Sequence, residues 1–175
     1  MTSAGITSIT SPPLTVPRPS ALPRLRRGAQ GPPGYPVVHR HCRRAFPGRS
    51  SEVPRLRRWL ARLLPAEAPA AEDVVMIAVE LATNALKHSA SGRGGTFTVE
   101  IAHLARPSAA VRVAVSDDGA PTGPAWSVHP DSVAGHGLGL YLVQALASRT
   151  GVSGDHRGRR VWAEVPWPSG VPRKP

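Results

Sequence analysis

The stretch Val79-Glu80-Leu81-Ala82-Thr83-Asn84-Ala85-Leu86-Lys87-His88 decides how the rest of the chain is read. It continues a helical pattern in which Val74, Ile77, Ala78, Leu81 and Ala85 recur on one face. Glu80 and Asn84 stand four residues apart, so on a helix they lie one above the other and point to the same place. A carboxylate and a carboxamide at the margin of an apolar face are costly to desolvate without partners. Two readings follow from this pair alone. Either both side chains are satisfied locally or by solvent, or they face a ligand or a metal ion.

Working upstream, Glu72 and Asp73 fall in the first turn of this helix, which starts around Ala70, where the helix dipole favours acids. An earlier helix is expected from about Glu52, capped by Ser50 or Ser51, with Val53, Leu56, Leu60, Leu63 and Leu64 as its apolar stripe. Arg55, Arg57, Arg58 and Arg62 lie mainly off that stripe, and Pro65 ends the helix. Pro47-Gly48 marks a turn, and Val37 to Phe46 reads as an edge strand. Residues 1–36 are interrupted by Pro12, Pro13, Pro17, Pro19, Pro23, Pro32, Pro33 and Pro36, a pattern expected of disordered chain.

Downstream, Ser91-Gly92-Arg93-Gly94-Gly95 stops the helix. Phe97, Val99 and Ile101 alternate with Thr96, Thr98 and Glu100, and after a loop near Pro107-Ser108, Val111, Val113 and Val115 alternate with Arg112, Ala114 and Ser116. Asp117 is in phase with the three valines, so its carboxylate is expected on the covered face of the strand, where it needs a donor. Gly119 follows, where backbone can pass close to a ligand. Residues 120–134 lack a period and read as a mobile loop. Gly135-His136-Gly137-Leu138-Gly139-Leu140 then runs into a helix through Ala147. Glycines opening a helix leave N–H groups free to hold phosphate, or they form a hinge. Gly151 is expected to end this helix, and Val152 to His156 with Val161 to Val165 to form a closing hairpin.

The bulk properties narrow the class. The 175 residues suit one domain plus extra chain. Net charge is +11, with seven Arg and no acid in residues 1–45, so the remaining part is only mildly basic. The basic arm holds Tyr35 as its one aromatic, which argues for a solvated tail rather than a nucleic-acid surface and leaves direct nucleic-acid binding unexpected. The single cysteine, Cys42, cannot form an internal disulfide and fits a reducing interior. His39 and His41 beside it have no second cluster at metal-ligand spacing. No run approaches the roughly 18 apolar residues of a membrane helix, and no secretory leader is visible. A cytoplasmic protein is expected, with no membrane association.

No glycine here precedes Lys then Ser or Thr, so a P-loop is excluded. The glycines are spaced G-x-G-x-G and come after the candidate acid, unlike a Rossmann fingerprint. Protein-kinase signatures are absent.

The three stretches, in this order, resemble the Bergerat-fold ATP-binding domains of the GHKL superfamily. In that pattern a helix carries E-x-x-x-N (Glu80, Asn84), a strand end carries D-x-G (Asp117, Asp118, Gly119), and a glycine box opens a helix (Gly135 to Leu140). The resemblance covers about residues 46–166 and is nearest to stand-alone anti-sigma-factor serine/threonine kinases and related bacterial regulatory ATPases. It implies an α+β fold: a two-layer α/β sandwich with a mixed, mostly antiparallel sheet covered on one face by about three helices. The domain plan is then a basic Pro-rich tail over 1–45 (an edge strand at 37–46), the ATP-binding domain over 46–166, and a loose tail over 167–175.

Carried onto matching positions, the resemblance makes ATP and Mg²⁺ the cofactors. Asp117 would accept from the adenine amine and Gly119 would let the base approach. Asn84 would be the Mg²⁺ ligand. Gly135, Gly137, Leu138 and Gly139 would wrap the phosphates, with His88 and His136 near them. Glu80 would be the catalytic base. It further implies a sigma factor or an anti-sigma-factor antagonist as protein partner, and a possible homodimer. A binding module without phosphoryl transfer and the catalytic half of a histidine kinase are the alternatives; against the second, no upstream helix pair carries an acceptor His. Two positions depart from the pattern. Pro121 replaces a second glycine after Gly119, and Arg160 stands where relatives place a hydroxyl residue that supports the adenine-binding Asp.

Overall fold

The computed structural model describes residues 38–105, 109–120 and 138–167. The Pro-rich segment before residue 38, residues 121–134 of the loop read over 120–134, Gly135, His136 and Gly137, and the tail beyond 167 lie outside the described residues. Within them the alternating and helical patterns of the sequence resolve into five strands and three helices: β1 Val38–Pro47, α1 Val53–Leu63, α2 Ala71–His88, β2 Thr96–Leu104, β3 Ala110–Asp117, α3 Leu138–Leu146, β4 Arg149–Asp155 and β5 Gly158–Pro166.

The strands form one sheet in the order β1-β2-β3-β5-β4, antiparallel at every pairing. The three helices lie on one face, giving the expected α+β two-layer sandwich. Among the described residues the sheet is purely antiparallel rather than mixed. Its helix side is apolar: Phe97, Val99, Ile101, Val111, Val113, Val115, Ala163 and Val165 meet Leu56, Leu60, Val74, Ile77, Leu81 and Val143 in a single core. Each buried aliphatic side chain contributes about 1.5–3 kcal/mol by leaving water. At the β1 end, Phe46 stacks on Phe97 (ring centroids 5.3 Å) and meets Trp59 edge-on (5.9 Å).

Two local expectations differ. Ser50 and Ser51 do not cap α1; they form a 3-10 turn over Ser50–Glu52 that leads into the helix, whose first turn is opened by Pro54. Gly151 does not end α3. The helix stops at Leu146 and Gly151 sits inside β4, paired with Trp162 of β5. A Cβ there would collide with the Trp162 ring, so the glycine is required by the indole lying across it.

The opposite sheet face reads polar in sequence, yet two of its carboxylates are buried. Glu100 is 6% exposed and Glu164 5%. Arg160 Nη1 donates to Glu100 Oε1 (2.6 Å), and His41 Nε2 lies 3.0 Å from Oε2. Arg112 donates to Glu164 through Nε (2.9 Å) and Nη2, and its guanidinium lies 4.9 Å from the Trp162 ring centroid. Long arginine side chains thus cover this face and bury the acids beneath their stems.

Burial pushes the Glu100 carboxyl upward, but the hydrogen bond and charge of Arg160, with those of His41, outweigh it and hold the group below the ordinary glutamate value. A folded-state pKa depressed in this way contributes stability above the unfolded value and loses it as pH falls through the folded one. Glu100→Gln should therefore lower the thermal midpoint at pH 7 by an amount worth about 1–2 kcal/mol. In melts recorded between pH 7 and pH 3, the gap to wild type should stay constant at first and then close at the acid end. A gap unchanged down to pH 3 would remove the charge-pairing account.

Candidate functional site

The site lies where the second half of α2, the start of α3 and the end of β3 converge. α2 presents its apolar stripe to the sheet, with Ile77, Ala78, Leu81 and Ala85 buried, which turns Glu80 and Asn84 toward the margin of the helix layer, both half-buried. Lys87 and His88 close the helix in its last turn, where the dipole favours cations. The His88 ring is exposed.

Glu80 faces the opening of α3. A Cβ on Gly139 would meet the Glu80 carboxylate, so the end of that side chain lies directly against the first turn of α3. An ionised carboxylate beside exposed N–H groups of a helix start is electrostatically favourable. One turn on, the Asn84 Nδ2 is shielded from solvent and has no hydrogen-bond partner among the described residues. A buried carboxamide nitrogen without a partner is uncommon in a folded protein. Its O and N ends exchange by a simple rotation, and the two are told apart only by what they bond. That end of the amide, unpartnered among the described residues, is thus available to a ligand.

Asp117 does face the covered side, as its phase with the valines requires. Its side chain is 9% exposed, and Oδ1 accepts from the Gly119 N–H (2.7 Å). Beside it stands Arg159, 8% exposed, with Nε 3.9 Å from the same oxygen. This is where the departure expected at Arg160 is corrected. Asp117 pairs with Arg159 across β3–β5, and Ser116 with Arg160. Side chains alternate along β5, so Arg159 shares the face of Asp117, whereas Arg160 points to the far face and meets Glu100. The residue beside the candidate base-binding carboxylate is Arg159.

Gly119 has φ +76°, a conformation an L side chain rarely adopts, and a Cβ there would collide with the His156 carbonyl. The β4–β5 turn therefore closes over this glycine, which is a structural requirement in its own right.

Further residues build the site without a motif to announce them. The Ala90 N–H donates to the Gly119 carbonyl (2.7 Å), and the Asp118 N–H to the Ser91 hydroxyl (2.9 Å). Asp118 in turn accepts from the Thr96 N–H (2.7 Å). Ser89, also buried, donates its hydroxyl to the Ala85 carbonyl (2.7 Å) and accepts from the Ser91 N–H (3.1 Å), and so turns the chain out of α2. Arg159 Nη2 donates to the His88 carbonyl (3.3 Å). The sequence signal for this clasp was present only as Ser89 and Ser91 after the helix, which reads locally as a loop.

The described residues thus bring together Glu80, Asn84, Gly139, Asp117 and Gly119 around one end of the helix layer. Gly135, His136 and Gly137 fall outside them, and only the backbone of Leu138 is described. No group of three or more His, Cys, Asp or Glu among the described residues forms a metal cluster of its own, so a divalent ion here would need ligands from a bound phosphate as well as from the protein. An unpartnered amide on α2, a helix opened by glycine and a buried carboxylate at a strand end fit Mg-ATP. No helix among the described residues is long and apolar enough to cross a membrane.

Comparison with known proteins agrees with this geometry. A family model described as the histidine kinase-like ATPase domain matches residues 46–165. No curated protein matches the chain. The match spans α1 to β5 and includes each element that builds the site, so the chain belongs to the histidine kinase-like ATPase domain family and carries its ATP-binding domain.

Proposed function

We propose that this ATP-binding domain is a Mg-ATP-dependent protein serine/threonine kinase of the anti-sigma-factor type, acting by partner switching in transcription control. The observation that carries the reading is Glu80. ATP binding alone calls for an amide at Asn84 and a carboxylate at Asp117. It has no evident use for a second carboxylate one turn from the amide and against the start of α3. A carboxylate in that position suits a general base that takes the proton from a substrate hydroxyl as it attacks the terminal phosphate. Asn84 would hold Mg²⁺ through its carboxamide oxygen, and the ion would supply charge neutralisation at the phosphates. Asp117 would accept a hydrogen bond from the adenine amine through Oδ2, for which no partner stands among the described residues. Phosphate contacts from Gly135, Gly137, Leu138 and Gly139, with His88 and His136 beside them, complete the proposal.

The partner would be a sigma factor or similar regulator, and the substrate a small antagonist that presents a serine or threonine. The cytoplasm is the compartment this role requires. A homodimer is compatible with the role. A module that binds ATP without transferring phosphate is the competing reading, and Glu80 separates the two.

Asp117→Asn should weaken ATP binding by about ten- to a hundredfold, because an amide can present its N–H₂ to the adenine amine where an acceptor is needed. Titration calorimetry with Mg-ATP checks this, and undiminished affinity would overturn the assignment of the base pocket. Glu80→Ala should bind ATP within about twofold of wild type while losing about 10²- to 10⁴-fold in phosphate transfer. The assay is a pull-down with and without Mg-ATP, followed by mass spectrometry of captured phosphoproteins and a radiolabel transfer rate on the one identified. Transfer at the wild-type rate by the Glu80 variant would leave the binding module as the correct reading.

A further inference from the structure

A concentration of positive charge lies away from the nucleotide site, where β1 meets α1. Arg44, Arg55, Arg58 and Arg62 surround Trp59 in a shallow cleft of about 230 Å³. Arg55, Arg58 and Arg62 follow one another at helical spacing along the exposed side of α1, and Arg44 reaches the same place from β1. Of the four, Arg55 is paired with an acid, through Nη1 to Glu52 Oε1 at 3.1 Å. Arg44 lies over the Phe46 ring, 5.2 Å from its centroid, and Arg58 donates to the Pro54 carbonyl at 3.4 Å. Among the described residues no carboxylate forms an ion pair with Arg44, Arg58 or Arg62. Four guanidinium groups gathered this closely repel one another, and an incoming anion would relieve that repulsion.

The second observation is the strand itself. β1 stands at the end of the sheet, hydrogen-bonded to β2 along one side, and among the described residues its other side has no strand partner. Between Arg40 and Phe46, alternate residues of this strand therefore turn their N–H and C=O groups outward at the spacing of another extended chain. Arg40, His41, Arg43 and Arg44 make this edge strongly basic. Two copies pairing edge to edge would set these charges against each other, so a second copy of this chain is a poor occupant.

We propose that β1 and the arginine cleft together form a docking site for an extended acidic segment of a partner protein. The segment adds to the sheet as a sixth strand alongside β1. Every second side chain of such a strand points toward the helix layer. Carboxylates at those positions meet Arg44, Arg58 and Arg62, and arginine suits them because its planar fork can pair with both oxygens at once. A small apolar side chain between them packs on Trp59. The indole is held edge-on against Phe46 rather than laid open as a stacking surface, which favours a peptide over a nucleic-acid strand. None of the residues lining the cleft belongs to the nucleotide site, so the proposal stands apart from the kinase reading.

The test uses the full chain and a fluorescein-labelled peptide of alternating Glu and Val, followed by anisotropy. Two comparison probes are the same peptide N-methylated at alternate residues, which keeps its charge but cannot pair as a strand, and single-stranded oligo(dT). Wild type should bind the plain peptide with an affinity that falls as salt is raised. Arg58→Glu combined with Arg62→Glu should weaken binding about tenfold or more. Arg57→Glu combined with Arg93→Glu makes the same change in net charge at exposed positions outside the cleft and should weaken it less than about threefold. The N-methylated peptide should bind at least about tenfold more weakly than the plain one, having lost several main-chain bonds. Equal losses in the two charge-reversal variants would show general attraction rather than a site. Equal binding of the two peptides would overturn strand addition. Tighter binding of oligo(dT), lost on reversing Arg58 and Arg62, would make the cleft a nucleic-acid surface instead. Failure of the plain peptide to bind wild type would end the proposal.

Discussion

The arrangement at the candidate site depends on how the end of α2 is fastened to the end of β3. Glu80 and Asn84 ride on the helix, and Asp117 belongs to the sheet. Apolar packing alone fixes the separation of these layers well and their relative slide poorly. A shift of one residue along a helix moves a side chain by 1.5 Å and turns it through about 100°. Three polar contacts remove that freedom. The Ala90 N–H is held by the Gly119 carbonyl, the Asp118 N–H by the Ser91 hydroxyl, and the His88 carbonyl by Arg159. Because Arg159 also stands against Asp117, one buried guanidinium touches both the strand that carries the carboxylate and the helix that carries the amide.

That dual contact gives the base pocket a particular electrostatic character. A carboxylate buried to this degree is costly to keep ionised without a cation or donors nearby. Asp117 has both, in Arg159 and in the Gly119 N–H. The same partners leave its second oxygen as the acceptor for a ligand. Its neighbour Arg160 shows how sharply strand alternation divides labour. One residue further along β5, the same side chain lies on the far face of the sheet and holds Glu100. Two adjacent arginines thus serve two unconnected carboxylates, and a single-residue slip of β5 would turn each of them to the opposite face of the sheet.

What the sequence disclosed and what it hid follow from the range of the interactions involved. The helical phase of Glu80 and Asn84 and the strand phase of Asp117 are local properties, legible from spacing, and the structure keeps them. The separate helices and strands were legible too, because alternating and 3.6-residue patterns rarely mislead over eight or more residues, whereas their assembly into a two-layer sandwich was implied by the family resemblance, which gave a mixed, mostly antiparallel sheet. The partner of Asp117 was not. Whether Arg159 or Arg160 faces it depends on the register between β3 and β5, some 40 residues apart, and local pattern cannot set that. Glu100 read only as a member of the polar alternation of β2, because burial by arginine stems from β1 and β5 leaves no local mark. Gly151 read as a helix stop because a glycine kept small for a tryptophan ring on the neighbouring strand looks the same in sequence as one that ends a helix. Ser91 read only as part of the stretch that stops α2, although it and Ser89 are both buried and hold the turn that leads out of the helix.

The two edges of the sheet show a further consequence of where charge is placed. β4, at one end, is short, mostly exposed and interrupted by Gly151 and Gly154, features that weaken any tendency to recruit another strand. β1, at the other end, is longer and is anchored at its Phe46 end by the Phe97 stack and the Trp59 contact. An edge without a strand partner among the described residues is a hazard unless something restricts what can pair with it. Here the restriction is charge: basic side chains on both faces of β1 oppose self-association while remaining complementary to acids. The exposed arginines of α1 extend that field over the same edge. Protection against the wrong partner and attraction of a chemically opposite one are, at this edge, the work of the same residues.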